Sequence, residues 1–209
     1  MLKQRLRSQP AELVVYTGPM WSGKTGALNA QLELALISGK RAGFRVLLFM
    51  PKKDTRETRP GKEFSGETVR IAHVTEVFDH ICEDHLVIGF DEIQFFEEEW
   101  EEFKNVSKKL VRSGRHVHIA GLDLDFKENS FRIVSETMAL AQQIYKKEAV
   151  CDRCGSFHAS RSQRISSETD RFVVGDSTEY EARCIDCFEP PIDDVDSGET
   201  TSNEIPSAT

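Results

Sequence analysis

The chain has 209 residues, with 27 Lys+Arg against 35 Asp+Glu and a formal net charge of −8. That balance, with no Lys/Arg block, argues against a predominantly nucleic-acid-binding surface, and no apolar run reaches the roughly 18 residues of a membrane span. The length suits one domain or one domain plus a small lobe, and 39% hydrophobic residues leave enough apolar side chain for a sizeable core.

Four segments are expected. Residues 1–10 are a short basic lead without the apolar stretch of a secretory signal. Residues 11–148 alternate strand-like and helical patterns. Residues 149–189 carry paired cysteines. Residues 190–209 hold five acids and no Lys or Arg, with Ser, Thr and Pro, and read as a disordered acidic tail.

In chain order, Leu13–Thr17 is a short apolar run ending at glycine, as a buried strand does. Thr25–Ser38 has Leu28, Leu32, Ala35 and Leu36 at helical spacing, with Gly39 as the expected C-terminal cap. Phe44–Phe49 and Val69–Val74 read as strands, and Thr75–Cys82 as a short helix. Leu86–Phe90 reads as a strand, Glu97–Val111 as a helix, and Val117–Ala120 as a strand. Alternation of this kind predicts an α/β fold with a mainly parallel sheet and ligands at its C-terminal edge.

The segment Gly18-Pro19-Met20-Trp21-Ser22-Gly23-Lys24-Thr25 fits G-x-x-x-x-G-K-[ST]. In such a phosphate-binding loop (P-loop), backbone N–H groups cradle phosphate oxygens. Lys24 adds a charge on the β/γ-phosphates, and the Thr25 hydroxyl ligates Mg²⁺. A chance match at a glycine turn is the alternative, and the strand before it and the helix after it argue against that. Leu86–Phe90 then runs directly into Asp91-Glu92. A carboxylate at the end of a buried strand can hold the Mg²⁺ shell, which assigns Asp91. A second beside it can serve as catalytic base, which assigns Glu92. Glu97, Glu98, Glu99, Glu101 and Glu102 follow and read as a solvated helix start.

Cys151-x-x-Cys154 and Cys184-x-x-Cys187 are two knuckles separated by residues 155–183. Four thiolates in two pairs suit a structural, tetrahedral Zn²⁺, with the intervening segment as a hairpin or loop closed by the metal. A redox dithiol and disulfides are the alternatives. Cys82 reads as a small buried hydrophobe on its short helix. The six histidines form no ligand pattern.

Together GPMWSGKT, DEIQFF, GLDLDF and the paired C-x-x-C, in this order, resemble the type II thymidine kinases of cytosolic and bacterial type, from about Glu12 to Phe188. The resemblance implies an ATP-dependent deoxynucleoside kinase of the cytoplasm. It would transfer the γ-phosphoryl group to the 5′-hydroxyl of thymidine and of deoxyuridine. Glu92 would be its base, and Asp54, Thr55, Arg56, Ile93 and Gln94 would lie at the nucleotide. Met20, Phe95, Leu122, Phe126 and Phe131 would enclose the thymine ring. Between the knuckles a lasso loop would cover the nucleoside with Arg171, Phe172, Val173, Val174 and Gly175, and Tyr180 would stand beside it. Pattern alone would leave Phe95, Phe126 and Phe131 as core residues. The resemblance also implies a homotetramer and feedback inhibition by thymidine triphosphate. Departures from the family pattern are Met50-Pro51, Glu57, Phe64-Ser65-Gly66, Ser130, Val174-Gly175 and about four extra residues near Lys40–Phe44. The competing readings are another P-loop enzyme, or a degenerate nucleotide-binding module whose zinc unit binds a protein.

Overall fold

A computed structural model describes residues 10–56, 63–167, 170–171, 175 and 177–191. The basic lead up to residue 9, Glu57 and the acidic tail from 192 onward lie outside them.

Among these residues the chain builds a six-stranded, wholly parallel sheet of order β3-β2-β4-β5-β1-β6. Its strands are β1 (Leu13–Thr17), β2 (Arg45–Pro51), β3 (Glu67–Ile71), β4 (His85–Phe90), β5 (His116–Gly121) and β6 (Gln143–Lys146). Helices α1 (Lys24–Ala42), α2 (Val77–His80), α3 (Trp100–Arg112) and α4 (Arg132–Met138) flank it. A separate antiparallel pair, β7 (Arg161–Arg164) and β8 (Tyr180–Arg183), lies between the cysteine knuckles. The expected α/β class holds, and the described residues between the knuckles include the β7–β8 hairpin pair.

The central strands are buried on both faces, and their period of two divides the core. Leu13, Val15, Leu47, Phe49, Ile88 and Ile119 point to the side of α3 and α4. Val14, Tyr16, Val46, Leu48 and Val87 point to the side of α1, where Leu28 and Leu32 meet them.

Several boundaries differ from expectation, each for a local reason. Helix α1 continues past Gly39 to Ala42 and is capped by Gly43, whose φ of 76° is left-handed and whose N–H donates to Gly39 O at 2.8 Å. The extra residues near Lys40–Phe44 therefore add a turn of helix, and Gly39 is buried inside it. Strand β3 stops at Ile71, because the N–H groups of Ala72 and His73 turn to Glu76 Oε1 at 2.9 and 2.8 Å. The helix expected over Thr75–Cys82 is only a 3₁₀ turn, Val74–Glu76, followed by α2. Cys82 lies beyond it and is exposed, not buried.

The helix expected from Glu97 begins at Trp100 and is preceded by a 3₁₀ segment, Ile93–Glu99. That segment turns two of the expected solvent-facing glutamates inward. Glu97 is 8% exposed and accepts the N–H groups of Arg132 and Ile133, while Glu99 accepts the N–H of Val74 at 2.8 Å. Helix α4 and strand β6 were not legible. Strand β6 has four exposed residues and no apolar alternation.

At Gly89 on β4 a Cβ would stand 2.5 Å from Leu32 Cδ1 and 3.0 Å from Leu48 Cδ1. Leu32 is fully buried, packed in the core beside Leu28 and Leu48. Gly89→Ala is therefore expected to destabilise the fold by about 1–3 kcal/mol, read as a lower urea midpoint at unchanged m-value.

Candidate active site

Four loops meet at the C-terminal edge of the sheet: those after β1, β2, β4 and β5. In the first, Gly18 leaves β1 with φ +130°, and a Cβ there would lie 2.2 Å from Lys147 O at the end of β6. Only glycine fits this approach. Ser22 Oγ donates to Pro19 O at 2.8 Å, and Lys24 Nζ donates to the same oxygen at 2.6 Å, closing the loop on itself. Trp21 is strained at φ 63° and half-exposed. Gly23, left-handed, caps α1. Lys24 is 8% exposed. Burial pushes its ammonium below the ordinary range, against the pull of Glu92, Asp123 and Asp91.

The loop after β4 meets this lysine. Strand β5 separates β4 from β1, yet the first turn of α1 reaches across it, and Thr25 Oγ1 donates to Asp91 Oδ1 at 3.1 Å. Asp91 is 2% exposed and also accepts the N–H of Glu92 at 3.0 Å. Glu92 has φ 55°, a left-handed conformation that costs a non-glycine residue about 1–2 kcal/mol. Strain of this kind clusters at functional sites. Its carboxylate is held from two sides: Gln94 Nε2 donates to Oε2 at 2.5 Å, and Arg56 Nη2 lies 2.7 Å from Oε1. Burial pushes the Glu92 carboxyl up, but Arg56 and Lys24 outweigh it and hold the group below the usual carboxylate range.

Arg56 comes from the loop after β2. It pairs with the fully buried Asp54 through Nε at 2.8 Å and Nη2 at 2.7 Å, so one guanidinium bridges two carboxylates. Thr55 between them is exposed. Arg70 on β3, which sequence reasoning did not single out, donates to Asp54 O at 2.7 Å and fixes that loop. Ile93 and Gln94 are buried, and Gln94 Oε1 accepts the N–H of Leu122 at 3.1 Å.

The loop after β5 carries the expected aromatic positions. Phe126 and Phe131 are buried; Phe95, Leu122 and Met20 are partly so. A cleft of about 480 Å³ opens beside them, lined by Asp125, Phe126, Lys127, Asn129, Ser130 and Arg171. The hairpin side of the chain docks on this loop through three arginines. Arg161 pairs with Glu128. Arg164 lies 3.9 Å from the Phe126 ring centre and 4.9 Å from that of Tyr180. Arg171 pairs with Asp125 and lies 4.7 Å from the Phe131 ring. Ser162 Oγ also accepts the N–H of Met20 at 3.0 Å, tying the hairpin to the glycine loop. Ser162, Arg161 and Arg164 were missed, because a strand reading Arg-Ser-Gln-Arg looks exposed and carries no signal until its partner loop is known. Gly175 is buried against Glu179. Phe172, Val173 and Val174 lie outside the described residues.

The Sγ atoms of Cys151, Cys154, Cys184 and Cys187 all lie within 4.8 Å of one another, with Cys154 and Cys184 3.7 Å apart. Tetrahedral Zn²⁺ with Zn–S near 2.3 Å requires S···S of about 3.8 Å, so the donor set fits that ion. The hairpin needs such support. Its packed residues are Ala149, Ala159, Ala182 and the cysteines, and a two-stranded pair with so little apolar side chain is marginal by itself. The exposed Cys82 groups with Asp84 and His85. There His85 Nδ1 already accepts the N–H of Cys82, and its Nε2 faces Glu67.

A parallel α/β sheet with this loop, its lysine and a carboxylate pair at one edge has the parts of a kinase that transfers a phosphoryl group. The thymidine kinase family model matches residues 11–188, and the chain belongs to that family. A thymidine kinase of Mycoplasma genitalium is 35% identical over 177 residues, covering 81% of this chain and 79% of that protein. One from Chloroflexus aurantiacus is 32% identical, covering 88% and 98%, and one from Roseiflexus castenholzii 33% identical, covering 88% and 97%. Among solved structures, domain III of the Thermotoga maritima replication initiation protein DnaA superposes with a TM-score of 0.40 at 13% identity. It covers 70% of this chain and 60% of that one, a likeness too loose to carry any argument.

Metal analysis of the purified protein is expected to give about one zinc per chain. Cys154→Ser should abolish it and expose the β7–β8 hairpin to limited proteolysis while the parallel sheet stays protected. A metal-free wild-type protein with a protease-resistant hairpin would refute the assignment.

Proposed function

We propose that this chain transfers the γ-phosphoryl group of ATP to the 5′-hydroxyl of thymidine, with deoxyuridine as a second acceptor. One observation supports this reading above the others. In a member of this family, a buried lysine, a threonine–aspartate pair and a doubly held glutamate converge at the sheet edge whose β5 loop carries Phe126 and the cleft beside it.

The chemistry follows from those groups. The backbone of Gly18, Pro19, Met20, Trp21, Ser22 and Gly23 receives the polyphosphate, and Lys24 exchanges Pro19 O for a phosphate oxygen. Thr25 and Asp91 offer hard oxygens that suit Mg²⁺, which would supply charge neutralisation between the phosphates. Asp54, Thr55, Arg56, Ile93 and Gln94 border the donor. Glu92, aimed by Gln94 and Arg56, takes the proton of the attacking hydroxyl. Its strained backbone and two fixed partners keep it oriented before the substrate arrives, so little reorganisation remains for the reaction.

Met20, Phe95, Leu122, Phe126, Phe131 and Tyr180 enclose the thymine ring, and the lasso segment, residues 171–175, covers it and excludes water. Zinc fixes the ends of that segment. Residues 11–148 serve as the phosphate-loop domain and 149–189 as the zinc unit. Thymidine triphosphate carries both the base that the cleft takes and the phosphates that the loop takes, which makes it the natural feedback inhibitor. A homotetramer in the cytoplasm completes the reading. Among the described residues no helix is long and apolar enough to cross a membrane.

Phosphate transfer from ATP–Mg²⁺ is expected with thymidine and deoxyuridine and not with deoxycytidine or deoxyguanosine. Glu92→Gln should lower kcat by about 10²–10⁴-fold and leave ATP affinity within about threefold. Turnover of ATP that does not depend on thymidine would favour a different P-loop enzyme. Near-wild-type activity in Glu92→Gln would remove Glu92 as the base.

A further inference from the structure

Glu97 stands at the end of the 3₁₀ segment that also carries Gln94. Its buried carboxylate takes two backbone donors, Arg132 N–H on Oε1 at 2.8 Å and Ile133 N–H on Oε2 at 3.0 Å. Those two residues directly follow Phe131, the residue that opens α4. Glu97 therefore grips the backbone immediately behind the Phe131 ring.

Arg171, distant in sequence, closes over the same ring. Its Nε donates to Asp125 Oδ2 at 2.8 Å, its Nη2 donates to Ser130 O at 3.0 Å, and its Nη1 lies 3.6 Å from Glu97 Oε1. The guanidinium stacks 4.7 Å from the ring centre. Arg132 does not compete for Glu97 through its side chain, which stacks on Trp100 at 3.6 Å. Phe131 is thus held from behind by Glu97, from the side by Asp123 O, which accepts its N–H at 3.0 Å, and from above by Arg171. Three residues before Glu97, across a kink at Phe96, Gln94 holds Glu92.

We propose that Glu97 and Arg171 are positioning residues that set affinity for the nucleoside. They clamp Phe131 at a fixed place relative to Glu92, and they do so without touching the phosphate donor. The proposal rests on the reading that the cleft beside Phe131 receives thymidine. A helix cap alone would have no use for the guanidinium. A surface ion pair alone would not bury the carboxylate against α4.

The test uses zinc-loaded full-length protein and steady-state kinetics with thymidine and ATP varied separately. Glu97→Gln and Arg171→Gln are each expected to raise the thymidine KM about tenfold and leave the ATP KM within about twofold. The double variant should be no more than about twofold worse than the worse single, because both act through one ring. Arg171→Lys keeps the charge and loses the planar fork, so it should recover part of the loss, to about threefold. A purely structural role would lower thermal stability and move both KM values together or neither; that result, or multiplicative singles, overturns the clamp.

Should Glu97→Gln fail to fold, Arg171→Gln decides alone. Arg171 is 37% exposed, and Asp125 keeps the N–H groups of Lys127 and Asn129. A wild-type chain that phosphorylates no thymidine defeats the functional reading and not the clamp. Amide exchange then judges the clamp: it should rise about tenfold across 123–138 in Arg171→Gln with α1 unchanged, and equal exchange overturns it.

Discussion

One buried ammonium constrains the whole site. Lys24 is 8% exposed, and a charge at that depth costs several kcal/mol unless opposite charge and hydrogen bonds surround it. Pro19 O supplies the hydrogen bond. Glu92, Asp123 and Asp91 supply the charge. Those carboxylates would repel one another without further cations, and Arg56 on Glu92 and Lys146 on Asp123 supply them, Arg56 also pairing with Asp54. The strand order then becomes a requirement. With β5 between β1 and β4, the two loops stand two strand spacings apart, about 10 Å. The first turn of α1 spans that gap, which is why Thr25 reaches Asp91. Small side chains let α1 sit low enough, and Gly89 under Leu32 is the sharpest instance.

The other half of the site is assembled from a weaker part of the chain. The β7–β8 hairpin has a core of alanines and cysteines and gains its order from the four-sulfur cluster and from its contacts with the loop after β5. Those contacts are cationic and aromatic: Arg164 between Phe126 and Tyr180, Arg171 over Phe131, Arg161 on Glu128. A guanidinium stacks on a ring and still keeps its in-plane donors for carboxylates and carbonyls, which a lysine does not. The Lys24 side and the aromatic side therefore rest on different physics. The first is a buried charge cluster on a rigid sheet. The second is a hairpin, joined at its base by four clustered thiols, leaning on a loop.

Much of this was legible beforehand. Gly18–Thr25, Asp91-Glu92 and the two C-x-x-C pairs are local patterns whose chemistry depends on residue type and short spacing. The apolar strands β1, β2, β4 and β5 were equally clear, because burial on both faces leaves unbroken runs of Val, Leu, Ile and Phe. Glu97 and Glu99 were misread as solvated. A run of glutamates carries no mark of which two will turn inward, and only the N–H groups of Arg132, Ile133 and Val74, all distant in sequence, decide it. Arg161 and Arg164 were illegible for the same reason, and Arg171 was named only through the family resemblance: their partners lie dozens of residues away. The helix end at Gly43 was missed by one turn, since Gly39 and Gly43 are equivalent caps until Phe44 is packed.

The sequence by itself determined the apolar strands β1, β2, β4 and β5, the glycine-rich loop, the acidic pair and the two C-x-x-C pairs. Each is fixed by interactions among near neighbours or by the period of apolar residues. The tertiary structure alone decided that Thr25 meets Asp91, that Arg56 joins Asp54 to Glu92, and that Glu97 and Arg171 close around Phe131. Those contacts join side chains from separate loops, and their geometry exists only once strand order and crossover paths have brought the C-terminal edges together.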